Sequence, residues 1–167
     1  GRLAPEKNLK LATRAFAAIA AEFPRARMVW VGDGPARTGL ERRQPQHIFT
    51  GTHQGEALAA CYASADLFLF PSLTETYGNV VPEAMASGLA VLAYDDAAAA
   101  ELIVDGENGL TVAPGAAEAF IAAALRLARD TDLRQRCREA ARRRVEPIGW
   151  DTVIGEFEDV LRSAASQ

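Results

Sequence analysis

Five short apolar runs, each followed by a polar or Gly/Pro-rich turn and then by helical spacing of apolar residues, confine this chain to the α/β class with a largely parallel sheet. The runs are Arg27-Met-Val-Trp-Val31, His47-Ile-Phe-Thr50, Ala65-Asp-Leu-Phe-Leu-Phe70, Leu89-Ala-Val-Leu-Ala93 and Leu110-Thr-Val-Ala113. Between them lie helical segments. Asn8 is positioned to cap the first, in which Leu11, Ala12, Phe16 and Ile19 recur at helical spacing, and Pro24 closes that unit. Pro35 opens the next, and others are expected near 54–64, 80–87 and 97–103, with Glu107-Asn-Gly109 as a turn. Three further helices, near 116–129, 131–145 and 150–163, end the chain. The right-handed crossover rule then gives a doubly wound sheet. Gly1-Arg-Leu3 reads as the exit of a strand lying before residue 1 and belonging near the sheet centre. Residues 1–167 are therefore expected to be one domain of a longer protein. In the last helix Trp150, Val153, Ile154, Phe157, Val160 and Leu161 form an apolar stripe. It suits either this domain's own sheet or a second domain.

Composition narrows the function classes. The chain of 167 residues is 49% hydrophobic and 24% charged, enough for a real core. A net charge of −4 argues against non-specific nucleic-acid binding. The Arg-rich stretch Arg134 to Arg144 reads as a solvated helix face, with attraction to anionic lipid as the alternative. Cys61 and Cys137 make no disulfide framework and read as small buried hydrophobes. His47 and His53 are isolated, so surface or capping roles are expected, and no metal site. The absence of signal-peptide and membrane-spanning patterns leads to the expectation of a cytoplasmic protein.

The segment Pro71-Ser-Leu-Thr-Glu-Thr-Tyr-Gly-Asn-Val-Val-Pro-Glu-Ala-Met-Ala-Ser-Gly88 joins a buried strand to a helix. Pro82 is tolerable only in the first helical turn, and Gly88 is a natural stop. Glu75 thus falls in the loop at the carboxyl end of a strand, where open parallel sheets bind ligands, and Glu83 falls near the helix start. Ser72, Thr74, Thr76, Tyr77 and Asn79 crowd the same loop. Gly78 allows close backbone approach. Backbone amides there suit phosphate, and carboxylates suit sugar hydroxyls. The bland alternative is two exposed glutamates, one of them favouring the helix dipole. Arg2 and Lys7 sit on a Gly-containing loop leading into a helix, which suits a diphosphate. Gly32-Asp-Gly-Pro35 is not a full dinucleotide fingerprint: position 37 is Arg, and no acidic residue ends the next strand. Tight-turn geometry is the main expected role of its glycines, with a ligand contact as the alternative. Walker and nucleophile-elbow patterns are missing as well.

Five ordered motifs carry a resemblance. Gly1-Arg-Leu-x-x-Glu-Lys-Asn8, Val31-Gly-Asp-Gly-Pro35, Ala65-Asp-Leu-Phe-Leu-Phe-Pro-Ser72, Glu75-x7-Glu83-Ala-Met-Ala-Ser-Gly88 and Asp105-Gly-Glu-Asn-Gly109 look like the donor-binding half of retaining GT-B glycosyltransferases. The resemblance implies a Rossmann-like doubly wound parallel sheet, one half of a GT-B fold, with C-terminal helices. It further implies that Arg2 and Lys7 hold the nucleotide diphosphate and stabilise the leaving group. Glu75 would contact donor-sugar hydroxyls. Thr76, Tyr77, Gly78, Asn79 and Val80 would line the phosphate and sugar, and Glu83 would accept from the ribose. Thr50 and Gly51 match a strand end facing the base. No cofactor or metal is implied, the cations replacing a divalent ion. The implied substrate is a nucleotide-diphosphate sugar, GDP-mannose or UDP-glucose being favoured. The acceptor, lipid in similar bacterial proteins, would be held by an N-terminal domain. Peripheral association with the inner membrane face is part of the same expectation, and nucleic acid is not. Alternatives that share the fold are a GT-B epimerase, a sugar-phosphate synthase and a non-catalytic sugar-nucleotide-binding module.

Overall fold

The computed structural model describes residues 1–148. The apolar stripe expected over 150–163 lies outside the described residues. After a 3-10 turn at Pro5–Lys7 the elements run α1 (Leu9–Glu22), β1 (Val29–Val31), α2 (Arg37–Arg43), β2 (Ile48–Gly51), α3 (Gly55–Ala63), β3 (Leu67–Phe70), α4 (Val80–Ala86), β4 (Ala90–Tyr94), α5 (Ala97–Leu102), β5 (Leu110–Val112), α6 (Ala117–Arg129) and α7 (Thr131–Val145). All five expected strands form, and every strand pair is parallel.

β4 organises the rest. Its five residues are all buried, as a near-continuous apolar strand covered on both faces must be. Side chains alternate across a strand. Ala90, Leu92 and Tyr94 therefore join Leu11, Ala15 and Ile19 of α1 and Phe120, Ala124 and Leu127 of α6 in one cluster. Val91 and Ala93 join Val81, Ala84 and Met85 of α4 and Ala98, Ala99 and Leu102 of α5 in another. α7 serves both, through Leu133 and Cys137 on one side and Ala141 and Val145 on the other. Helices on both faces of a parallel sheet confirm the doubly wound α/β architecture.

The sheet is in two parts. Among the described residues β1 pairs only with β2, and β3 with β4, which pairs with β5. β3 is half-buried along its whole length. Tyr62 of α3 and Phe70 pack edge-on and stacked, respectively, against Phe68, with centroids 6.0 and 5.6 Å away. A third cluster of Leu3, Ala12, Trp30 and Leu40 fixes the β1–β2 half to α1 and α2.

Several local expectations need correction. Asn8 precedes α1, but its backbone is left-handed (φ 50°) and its side chain makes no cap bond, because it exits the turn Pro5–Lys7. α2 begins at Arg37, two residues beyond Pro35. The Arg-rich α7 is more than a solvated face. Arg134 Nη1 donates to Leu127 O (2.8 Å) and Ala128 O (2.9 Å), the orphan carbonyls ending α6. Arg138 Nε donates to Gly88 O at 2.7 Å. Arg136, Arg142 and Arg143 are exposed. Cys137 is buried and Cys61 half-buried, both as free thiols.

His47 is not a surface residue. It is 8% exposed, accepts at Nδ1 from Trp30 Nε1 (3.1 Å), and meets the edge of Phe16 with centroids 5.2 Å apart. An acceptor Nδ1 means a neutral ring protonated at Nε2. Burial disfavours the imidazolium and holds its pKa below the ordinary value. The unfolded chain then binds the proton more readily than the folded one. Stability from this residue is full above about pH 6.5 and falls as pH drops from there towards the depressed folded-state value. Urea unfolding at pH 7.5 and 5.5 is expected to show lower stability at the acid value, and a smaller difference in His47→Gln. An equal difference in both proteins would remove His47 as the cause.

Candidate functional site

The loops that follow β1, β2 and β3 all emerge on one side of the parallel strands, and the candidate residues gather there. Residues 1–3 cross the loop after β1. Leu3 N donates to Asp33 O (2.8 Å), Ala36 N donates to Leu3 O (2.9 Å), and Gly1 N donates to Val31 O (2.7 Å). Leu3 is buried in the third cluster. The glycines of Gly32-Asp-Gly34 are required by this crossing. A Cβ on Gly34 would stand 2.4 Å from Leu3 O, and one on Gly32 1.8 Å from Gly1 O. The segment is thus a seat for residues 1–3, and it holds Arg2 in place between two anchored neighbours. The Arg2 side chain is exposed, 3.7 Å from the Glu6 carboxylate. Arg37 bridges Asp33 (3.0 Å) and Glu41 (2.8 Å) beside the same loop. The Gly34 amide and Arg37 together hold the Asp33 carboxyl below the usual range.

Lys7 and Glu75, 68 positions apart, are brought together. Lys7 Nζ donates to Glu75 Oε1 in a partly buried ion pair, and also lies 5.8 Å from the centre of the Phe70 ring. An ammonium so placed gains from the ring quadrupole as well as from the carboxylate. Leu73 N donates to Glu6 O at 2.8 Å, which ties the loop after β3 to the turn that carries Lys7. Gly78 has φ 89°, and a Cβ there would touch Glu75 Cγ at 3.5 Å. Ala98 N donates to Tyr77 O (2.8 Å), anchoring this loop to α5. The Thr76, Tyr77 and Asn79 side chains are exposed and Val80 is half-buried. Partial desolvation, with the nearby Glu101 charge, raises the Tyr77 phenol pKa.

A cleft of about 310 Å³ opens here. Arg2, Gly32, Val80 and Glu83 line it, with Asp33, Thr52, His53, Gln54, Leu58 and Tyr62. Glu83 Oε2 accepts from the Tyr62 hydroxyl at 3.0 Å. Thr50 and Gly51 are behind the lining: Thr50 Oγ1 reaches Trp30 O (3.3 Å), and Gly51 O accepts from Gly32 N (2.7 Å). The next three residues, Thr52 to Gln54, form the wall instead. Sequence reasoning had not placed Asp33, His53, Gln54, Leu58 or Tyr62 here. Only Asp33, inside a Gly-Asp-Gly turn, carried a local signal. Among the described residues no three His, Cys, Asp or Glu side chains converge as metal ligands, and no helix is long and apolar enough to cross a membrane.

Replacing Gly34 by Ala should break both Leu3 hydrogen bonds to the loop, because the methyl group meets backbone and not a flexible side chain. A loss of about 1–3 kcal/mol, the usual range for overpacking, is expected in chemical denaturation. Unchanged stability would show that residues 1–3 are not seated on this loop.

The sequence and the fold match known proteins. The family description Glycosyl transferases group 1 matches residues 1–130. A GDP-mannose-dependent alpha-mannosyltransferase of Mycolicibacterium smegmatis is 39% identical over 168 residues, which cover 96% of this chain and 42% of that protein. A sulfoquinovosyl transferase of Arabidopsis thaliana is 35% identical over 170 residues, covering 99% of this chain and 32% of that protein. The chain thus spans less than half the length of these relatives. Among solved structures, the C-terminal domain of a glycosyl transferase group 1 family protein from Francisella tularensis superposes with a TM-score of 0.78 at 26% identity, covering 87% of this chain and 81% of that one. An Anabaena protein crystallised with UDP-glucose shares the fold, with a TM-score of 0.82 at 23% identity over 98% of this chain and 47% of that one. The chain belongs to the group 1 glycosyl transferases, and its fold is that of a C-terminal GT-B domain.

Proposed function

We propose that the cleft binds a nucleotide-diphosphate sugar and that the domain is the donor half of a retaining hexosyltransferase. The observation that carries this reading is two neighbouring groups of opposite charges: Arg2 and Glu83 line the cleft, and Lys7, on the turn that follows Arg2, pairs with Glu75 in the loop after β3, outside that lining. Arg2 and Lys7 take the diphosphate and offset the charge that grows on the leaving group, so no divalent ion is needed. Glu75, with the 76–80 loop, receives the sugar, and Glu83 receives the ribose. The 39%-identical mannosyltransferase favours GDP-mannose over UDP-glucose as donor. The acceptor, a lipid in this reading, is bound by an N-terminal domain, and transfer requires that domain. The protein works in the cytoplasm, at the inner membrane face when its acceptor is a lipid.

A strand preceding Gly1 completes the sheet in this reading. The separate β1–β2 and β3–β4–β5 pieces, and the half-buried Leu67–Phe70, support its insertion between β1 and β3.

Calorimetric titration with GDP, UDP and ADP, with and without magnesium, tests the donor site. Saturable binding of one diphosphate, little changed by magnesium, is expected. Lys7→Ala and Arg2→Ala should each weaken that diphosphate about tenfold or more, a charged hydrogen bond being worth about 1.5–3 kcal/mol, and leave the nucleoside nearly unaffected. Equal losses for both ligands would move the cations away from the diphosphate.

Glu75 and the diphosphate compete for the same Lys7 ammonium. Glu75→Gln is therefore expected to tighten GDP, which has no sugar, while weakening GDP-mannose. A parallel change in the two affinities would deny Glu75 its sugar contact.

A further inference from the structure

We infer that Tyr62 is a positioning residue for Glu83, holding its carboxylate in the orientation that presents it to the ligand. The inference rests on the donor-site reading of the cleft and adds a residue from a helix that no motif singled out. α3 is an alanine-rich helix without a single fully buried residue, yet Tyr62, near its end, is half-buried and turned towards the cleft. Its hydroxyl donates to Glu83 Oε2 at 3.0 Å, across 21 positions of sequence.

Glu83 needs such a partner. It is exposed at the start of a helix of seven residues, and the Gly1 amino group acts on it through charge alone, whereas Tyr62 gives it a directed hydrogen bond. A solvated Glu side chain samples many rotamers, and fixing one on ligand binding costs entropy. The Tyr62 bond meets that cost beforehand, which is preorganisation. One carboxylate oxygen is engaged, and Oε1 and the remaining lone pairs of Oε2 stay available to accept from hydroxyl groups in the cleft.

Tyr62 is itself held. Its ring meets Phe68 edge-on, 6.0 Å between centroids. Phe68 stacks on Phe70 at 5.6 Å, and Phe70 carries Lys7 Nζ over its face at 5.8 Å. Lys7 then pairs with Glu75. One run of contacts along β3 therefore supports both the ribose carboxylate and the phosphate cation. The phenol proton stays on Tyr62, since burial and the Glu83 charge both push its pKa up.

The test compares each nucleoside diphosphate with its 2′,3′-dideoxy analogue in the full-length protein, using GDP, UDP and ADP. Tyr62→Phe keeps the ring against Phe68 and removes only the hydroxyl. It is expected to weaken the bound ribonucleotide about three- to tenfold, the order of one hydrogen bond, and to leave the dideoxy analogue unchanged. Glu83→Ala, which removes the acceptor altogether, should weaken the ribonucleotide further, and Tyr62→Phe added to Glu83→Ala should cost nothing more. Equal weakening of both ligands by Tyr62→Phe, with a lowered Tm, would reduce Tyr62 to a packing residue and overturn the inference. So would an unchanged ribonucleotide affinity in Tyr62→Phe when Glu83→Ala lowers it. If Glu83→Ala does not discriminate between the two ligands, or none of the diphosphates binds, the ribose reading fails and the inference with it.

Discussion

The double-faced burial of β4 is the constraint on which the molecule depends. A parallel strand that must bury five consecutive residues needs helices on both sides, and α1 with α6 and α4 with α5 supply them. That requirement fixes the connections. Each helix must return the chain to start the next parallel strand, so the loops leaving β1, β2 and β3 share one edge of the sheet. The site residues are drawn from those loops and from the segment that crosses them. Cleft and core are thus consequences of the same parallel order, and the side chains of Arg2 and Glu83 can line the cleft because the residues beside them carry the packing. Leu3 is buried next to Arg2, and Ala84 next to Glu83.

What could be read from the sequence was what is local. The apolar runs marked all five strands, and Gly88 and Pro82 framed α4 within a residue or two. Glu75 and Glu83 were visible as candidates because a strand, a polar loop and a helix follow each other without interruption. What escaped depends on partners far along the chain. His47 is buried because Trp30, 17 positions earlier, donates to it and Phe16 covers it. Asn8 fails as a side-chain cap because the turn before it delivers a left-handed backbone. Tyr62 sits among alanines that promise only an unremarkable helix, and its role appears only when Glu83 arrives from α4.

The Gly32-Asp-Gly34 turn shows how one motif supports two incompatible sequence readings. Its glycines resemble those that let a pyrophosphate approach a helix N-terminus. Here it is the chain's own residues 1–3 that approach. The steric demand is the same, an absent Cβ facing something close, but the partner is backbone and the outcome is positional: Arg2 is delivered to the cleft, whose wall Gly32 and Asp33 of the same loop also form. Spacing alone cannot separate the two, because it reports where space is needed and not what fills it.

Under the proposed donor reading, Lys7 faces a conflict that any phosphate-binding cation near a core must resolve. A partly buried ammonium is costly unless paired, whereas a paired ammonium is less available to a ligand. Glu75 and the Phe70 ring satisfy the first demand. In that reading the second is met because a carboxylate with one charge is a weaker competitor than a diphosphate with two or three, so Lys7 would be transferred at modest net cost. The transfer has a further consequence. In the same proposal, as Lys7 leaves, Glu75 would be released beside the loop of residues 76–80 with its hydrogen-bonding capacity restored, and a sugar attached to the diphosphate would offer it hydroxyl donors. Phosphate and sugar recognition are then coupled through one exchange of partners. A bare diphosphate completes only half of it, which favours the whole donor over the product that leaves.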